Sequence, residues 1–364
     1  MRRMTRRQFV ATLSAGAAMW AAGGCGSDNN PLTGEVTGGD LPIPDSPSNP
    51  ADPLITTARQ ADYDTASLRR VLTDMIDRLG GFGNLVSAGD TVGLKLNLTG
   101  GSRDADRALG RFGETAPELF WTHPEVLRVV GELFKDAGAG RILVMEAVYD
   151  DGSYYNYGYS DVAATFGGEF VDLNKPSPMT EFVELEVPNP LGAYDSYTIN
   201  RALAEVDVFV SLPKAKRHAS AGVTHALKNQ VGSVPLAHYS GGQGHRAHLH
   251  ADGNTTLVHN FLDINKVRPI HFSVNDAIKT AEHGEGPWIR GFRTARFDSL
   301  IAGFDPVAVD SISTQVMGYD PMAADNAGPF GDNLVHTINY LRLAEESGMG
   351  VHDLAKIERV DVTA

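Results

Sequence analysis

Strand-like and helix-like periodicities alternate along this chain, and few architectures accommodate that order. An amphipathic stretch from Thr65 to Leu79 precedes Thr91-Val92-Gly93-Leu94-Lys95-Leu96-Asn97-Leu98, where apolar residues recur at every second position. A helical pattern from Pro124 to Ala137 follows, with Pro124 suited to a first helical turn. Gly138-Ala139-Gly140 then makes a short connection to an apolar strand, Arg141 to Met145. Further on, Val206 to Leu212 reads as a buried strand, Ala221 to Val231 as a short helix, Thr255 to Val267 as a longer one, and Pro269 to Val274 as a strand. Leu300 to Gly303 leads into a helix opened by Asp305-Pro306, and Leu334 to Ser347 reads as a final helix. The order predicts an α/β fold: a mostly parallel or mixed sheet flanked by helices, in one large domain or two intimately joined lobes. There is no internal repeat, and no apolar run after the N-terminal segment is long enough to span a bilayer.

The first 25 residues read as an address rather than a fold element. Thr5-Arg6-Arg7-Gln8-Phe9-Val10 sets paired arginines before a short run of small residues, the pattern of a twin-arginine (Tat) export signal. Ala22-Gly23-Gly24-Cys25 places small residues ahead of a cysteine, as lipoprotein processing requires, although Ala22 stands where leucine is usual. The expectation is passage through the Tat export machinery and lipidation of Cys25. The protein would then work in the periplasm or elsewhere outside the cytoplasmic membrane, touching that membrane through its lipid alone. An arginine-rich tail with a chance cysteine is the plainer alternative. Residues 26–60, rich in Gly, Pro, Ser, Asn and Asp, read as a disordered tether, and 61–364 as the folded body.

Cys25 is the chain's single cysteine. A mature body without it forms no internal disulfide and holds no iron–sulfur cluster through cysteine thiolates. A divalent transition metal would have to rest on His, Asp, Glu or backbone oxygen. The formal charge of −14 argues against broad nucleic-acid binding.

Against that acidic background, Val208 to Ala251 contains no Asp or Glu, in a chain where about one residue in eight is acidic. It holds Lys214, Lys216, Arg217, Lys228 and Arg246 with six histidines. Such a gap marks a site for a small anionic substrate or cofactor, for a metal, or for both; a solvated basic loop is the bland reading. Lys214, Lys216 and His218 recur at every second residue past a strand, so an unbroken extended chain would project them to one side, beside the crevice at a sheet edge. On the predicted helix that follows, Thr224 and Lys228 lie one turn apart, with Asn229 on the neighbouring stripe. Lysine crowded by other cations loses its proton readily and histidine titrates near neutrality, so Lys216, His218 and Lys228 are candidate catalytic groups, with Asp276 as a carboxylate partner. Lys95 and Asn97, alternating at an early strand end, extend the same rim, and Gly286 in Gly284-Glu285-Gly286-Pro287-Trp288 brings backbone close to whatever lies opposite. His245, His248 and His250 have loose metal-ligand character, with Glu285 or Asp276 as a carboxylate partner, but match no specific zinc spacing. The tyrosines between Tyr149 and Tyr159, in a glycine-rich loop, line a site or simply pack a surface. Asp305 has the position of a helix cap, while Asp310, one turn inside that helix, needs a partner.

Together these segments resemble the family catalogued as domain of unknown function 362. The matching pieces are Gly93 to Leu98, Thr122-His123-Pro124-Glu125-Val126, Ser211 to His218, Val223 to Gly232, Gly284 to Pro287, and Ala302 to Asp310. They span about Ala88 to Gly348. The resemblance implies that the family's lysines and histidine fall at Lys214, Lys216, His218 and Lys228, with Asn229. Some relatives carry ferredoxin-like cysteine clusters, which are missing here, so an electron-transfer role does not carry over. What the residues themselves leave open is an exported enzyme performing acid/base or redox chemistry, or a binding lipoprotein without catalysis.

Overall fold

The computed structural model describes residues 52–251 and 253–363. The twin-arginine segment, Cys25 and most of the 26–60 tether lie outside the described residues. The end of that segment does not, and it corrects the boundary: Leu54–Arg59 forms strand β1, hydrogen-bonded to a neighbour on each side. Leu54-Ile55-Thr56-Thr57 is an apolar and β-branched run suited to a strand, obscured by the prolines and glycines averaged around it.

The other strands are β2 (Thr91–Lys95), β3 (Arg141–Glu146), β4 (Gly168–Asp172), β5 (Phe182–Glu186), β6 (Ser196–Asn200), β7 (Val208–Ser211), β8 (Lys216–His218), β9 (Gly222–Thr224), β10 (Phe272–Glu282), β11 (Arg293–Gly303) and β12 (Glu358–Val362). The longer helices are α1 (Thr65–Arg78), α2 (Ser102–Phe112), α3 (Pro124–Asp136), α4 (Tyr159–Phe166), α5 (Asn254–Val267), α6 (Pro306–Val316) and α7 (Tyr340–Glu346). Among the described residues the central sheet has eight strands in the order β12-β1-β11-β10-β7-β2-β3-β4. Only β11 runs antiparallel to its neighbours, so the expected mostly parallel, mixed α/β sheet is what forms.

Side-chain alternation along the strands divides the core. Val92, Leu94, Ile142, Val144, Val208 and Val210 join one cluster with α1, α3 and α4. Leu143, Met145 and Phe209 lie in a second with α5, α7 and the β5–β6 hairpin. The helix starts follow local rules. Pro124 opens α3 behind His123, whose ring accepts the Glu125 amide at 3.2 Å. Asp305 caps α6 by accepting the Val307 and Ala308 amides, each at 2.9 Å.

Two predicted helices change. Ala221 to Val231 is instead β9, paired antiparallel with β8, followed by a 3₁₀ segment, Lys228–Ser233. Val223 and Thr224 are β-branched, and Gly222 turns with φ 83° where an added Cβ would meet the Pro329 carbonyl oxygen at 2.6 Å. The final helix shrinks to α7, because Asn339 caps it by accepting from the Leu341 amide at 3.0 Å. The Tyr149 to Tyr159 loop also contains a helical turn at Gly152–Tyr155. No helix among the described residues is long and apolar enough to cross a membrane.

The strand order determines where a ligand crevice opens. From β2 the chain adds β3 and β4 toward one edge, then returns to place β7 and β10 on the other side of β2. The order therefore reverses between β2 and β7, and parallel α/β sheets gape at the carboxyl ends of strands flanking such a reversal.

Candidate active site in a cavity at the strand ends

Beyond the carboxyl ends of β2, β3 and β7 lies a cavity of about 450 Å³. Its floor is a hydrogen-bonded polar layer. Lys95 ends β2 and donates to both carboxylate oxygens of Glu146, which ends β3, at 3.0 Å. Glu146 also accepts the Leu98 and Ala147 amides at 3.0 Å. Gly232 covers this pair so closely that an added Cβ would lie 2.4 Å from Glu146 Oε1 and 2.8 Å from Lys95 Nζ. Lys216, fully buried, donates to Asn97 Oδ1 at 2.7 Å and to the Phe120 carbonyl at 2.5 Å. Asn97 in turn donates to Asn229 Oδ1 at 2.9 Å.

Above the floor, His218 and Lys228 line the cavity with polar atoms uncommitted among the described residues, and Thr224 lines it with its hydroxyl buried. His218 Nδ1 accepts the Ser220 and Ala221 amides at 3.0 and 3.2 Å, which assigns the proton of the neutral ring to Nε2. Burial and the charge of Lys228 hold its pKa well below the usual histidine value, so His218 is a neutral N–H donor. Thr224 Oγ1 is buried without a hydrogen-bond partner. Lys228 is only partly buried, lines the cavity and makes no side-chain hydrogen bond or ion pair among the described residues. Burial lowers its pKa to about 8; nearby Glu285 opposes the shift, while Arg246 and Lys95 add to it. After burial, the Lys228 charge is the largest influence lowering Lys216, His218 and His250, the last to about 4. One ammonium group thus lies within electrostatic reach of the others.

The rim supplies donors of another kind. The amides of Thr99, Gly100 and Gly101 donate to nothing among the described residues, and Gly101 caps the N-terminus of α2 without a side-chain bond. Gly100, at φ 75°, packs so closely under Trp288 that a Cβ would approach the indole ring to 2.8 Å. Glu285 accepts the Ala219 amide at 2.9 Å and the Trp288 indole N–H at 3.2 Å, with its Oε2 4.0 Å from His218 Nδ1. Arg246, His245 and His250 complete a lining in which the cations Lys95, Lys216, Lys228 and Arg246 stand with the carboxylates of Asp104, Glu146 and Glu285. Unpaired amides at a helix start with several cations favour a carboxylate or phosphate.

Most of the anticipated residues meet here: Lys95, Asn97, Lys216, His218, Thr224, Lys228, Asn229, His245 and His250 all line the cavity. Others do not. Lys214 and Asp276 form a fully buried pair at 2.7 Å, joined by the Tyr63 hydroxyl, which donates to Asp276 Oδ1 at 2.9 Å and accepts from Lys214 Nζ at 2.9 Å. The chain is not extended without interruption past β7: Lys214 bridges to Asp276 while Lys216 pairs with Thr224 in a separate ladder. This break moves Lys214 and Asp276 out of the cavity and removes Asp276 as the partner of Lys216 and His218. Gly286 lies beneath Trp288 rather than in the lining, with a Cβ reaching 2.2 Å from the indole. Thr224 lies on a strand, so the helical spacing with Lys228 does not bring them together; the turn after β9 does.

The histidine trio also separates. His245 and His250 face the cavity with ring centroids 6.0 Å apart, but His248, on the 3₁₀ turn Ala247–His250, packs against Gly241. Among the described residues no group of three or more His, Cys, Asp or Glu is arranged to hold a metal. Asp310 finds its partners in the Ala226 and Leu227 amides, at 2.8 and 3.1 Å. Of the tyrosine loop, Tyr149 lines the cavity whereas Tyr154 and Tyr159 enter the core. Glu146, Gly232, Trp288 and the Thr99 to Gly101 loop were not anticipated as cavity residues. A glycine pair between a strand and a helix was the available signal for that loop.

The geometry can be set beside known proteins. The chain is 27% identical over 183 residues to a thylakoid-associated protein of Synechocystis sp., covering 50% of each, so it spans about half the length of that curated relative. Among solved structures it is similar to a lactate racemase apoprotein from Thermoanaerobacterium thermosaccharolyticum, with a TM-score of 0.36 and 12% identity over 66% of this chain and 54% of that one. A family profile covers residues 109–315, which include β3, β7, β8, β9, β10 and the lysine- and histidine-bearing side of the cavity. On that match the chain belongs to the family described as domain of unknown function (DUF362).

Proposed function

We propose that the cavity binds a small anionic molecule and that Lys228 performs acid/base chemistry on it. The observation that carries this reading is the Lys228 amine: it lines a cavity of about 450 Å³, lacks any partner among the described residues and has a pKa of about 8. Near neutral pH such an amine exists in both protonation states, as a general base or acid requires. Lys216 is already bonded to two acceptors and serves as floor. The neutral His218 Nε2–H and the Thr224 hydroxyl orient the ligand, and the Thr99 to Gly101 amides with Arg246 receive its charge. The paired arginines of Arg6-Arg7 and the Gly23-Gly24-Cys25 sequence support export of this activity across the cytoplasmic membrane, with a lipid on Cys25 as anchor.

Calorimetric titration of the purified protein with oxalate and with sulfate tests the ligand class. The expected result is one saturable site, weakened roughly tenfold to a hundredfold by Lys228→Met, the loss of one charge-assisted contact. Equal binding by the wild type and by both Lys228→Met and Arg246→Met would overturn the site.

A further inference from the structure

The cavity provides more than charge complementarity. A lysine amine that donates to nothing nearby has its lone pair available whenever it is deprotonated, and covalent chemistry then competes with proton transfer. Lys95 is tied to Glu146 and Lys216 to Asn97 and Phe120, so among the cavity lysines only Lys228 is unencumbered. Its neighbours suit attack on a carbonyl. The neutral His218 Nε2–H and the unpartnered Thr224 hydroxyl are hydrogen-bond donors for a carbonyl oxygen as it gains charge, and Arg246 with the Thr99 to Gly101 amides can hold a carboxylate or phosphate on the same molecule.

We infer that Lys228 forms an imine with a small anionic carbonyl compound, a 2-oxo acid or an anionic aldehyde, held in this cavity. The proposal rests on the anion-binding reading above and names its substrate class. The neutral amine adds to the carbonyl carbon, breaking the C=O π bond and giving a carbinolamine. Its hydroxyl then departs as water, taking its second proton from solvent, while the nitrogen of the adduct keeps its remaining hydrogen and its lone pair forms the C=N bond. The product is a protonated iminium; no electrons are gained or lost. A positive nitrogen conjugated to the substrate carbon is an electron sink, so the chemistry that follows is loss of a group or proton from the adjacent carbon.

Reductive trapping tests this. The full chain is incubated with glyoxylate or pyruvate and sodium cyanoborohydride, then analysed by intact mass and peptide mapping. The expected result is a single saturable adduct on the peptide bearing Lys228, forming faster as the pH rises toward and past 8, suppressed by excess oxalate and absent from Lys228→Arg. Labelling scattered over surface lysines, unaffected by oxalate and unchanged in Lys228→Arg, would overturn the imine. So would no labelling in a protein that still binds oxalate by calorimetry; that outcome leaves anion binding standing. Absence of both labelling and oxalate or sulfate binding would overturn the two readings together.

Discussion

Lys216 and Lys228 share one cavity yet differ in availability, and the difference lies in their hydrogen bonds rather than in their residue type. The Lys216 amine is held by Asn97 and the Phe120 carbonyl, whereas the Lys228 amine is held by nothing among the described residues. Sequence placed both among the candidates, because a cation-rich stretch without acids is visible in one dimension. It had no means of ranking them, since the Phe120 carbonyl and the Asn97 side chain arrive from distant segments. Gly232 shows the same limit: its value comes from contact with Glu146 and Lys95, neither nearby in the chain. Gly232→Ala should therefore lower stability by roughly 1–3 kcal/mol in denaturant unfolding, because the Cβ meets a bonded ion pair that has no room to shift. Unchanged stability would show that the Lys95–Glu146 pair yields easily.

At the scale of elements, α6 supports the site without entering it. Asp310 on α6 accepts the Ala226 and Leu227 amides, the residues just before Lys228, and also contacts the Tyr340 hydroxyl on α7 at 3.3 Å. Asp305, five residues earlier, only caps the helix and accepts the Val351 amide at 3.0 Å. The two carboxylates should part in mutants. Asp310→Ala strands two buried amides and should cost roughly 2–4 kcal/mol while weakening oxalate binding. Asp305→Ala should cost about 1–2 kcal/mol with binding retained. Melting curves paired with calorimetry check both, and equal loss of binding in the two variants would contradict the separation. Elements whose ends carry their own signals, such as α3 behind His123-Pro124 and α6 behind Asp305-Pro306, were legible in sequence. The β8–β9 hairpin was not, because three-residue strands show no periodicity and owe their form to Gly222 against Pro329 and to the Arg217 guanidinium, which donates to the Gly222 and Pro329 carbonyls at 2.7 and 2.6 Å.

For the whole molecule, the alternation of strands and helices implied a mostly parallel sheet, but only the strand order shows where that sheet opens. The reversal between β2 and β7 gathers Lys95 and Asn97, Glu146 and Tyr149, and Lys216 to Lys228 from three chain segments, with Glu285 and Trp288 brought over by the β10–β11 connection. In a chain of formal charge −14, a cavity where Lys95, Lys216, Lys228 and Arg246 outnumber Asp104, Glu146 and Glu285 keeps a positive excess where a small anion would bind. Binding and protonation must then be linked. An anion that prefers the Lys228 ammonium binds best below pH 8, weakens as the pH rises through that value, and by the same coupling raises the lysine pKa. The most direct test is an NMR titration of lysine side chains, with the Lys228 signal assigned by its loss in Lys228→Arg, in the presence and absence of oxalate or sulfate. The account predicts a midpoint of about 8 in the free protein, moving upward with either anion. A Lys228 signal that titrates near the ordinary lysine value of roughly 10.4 and ignores both anions would contradict it.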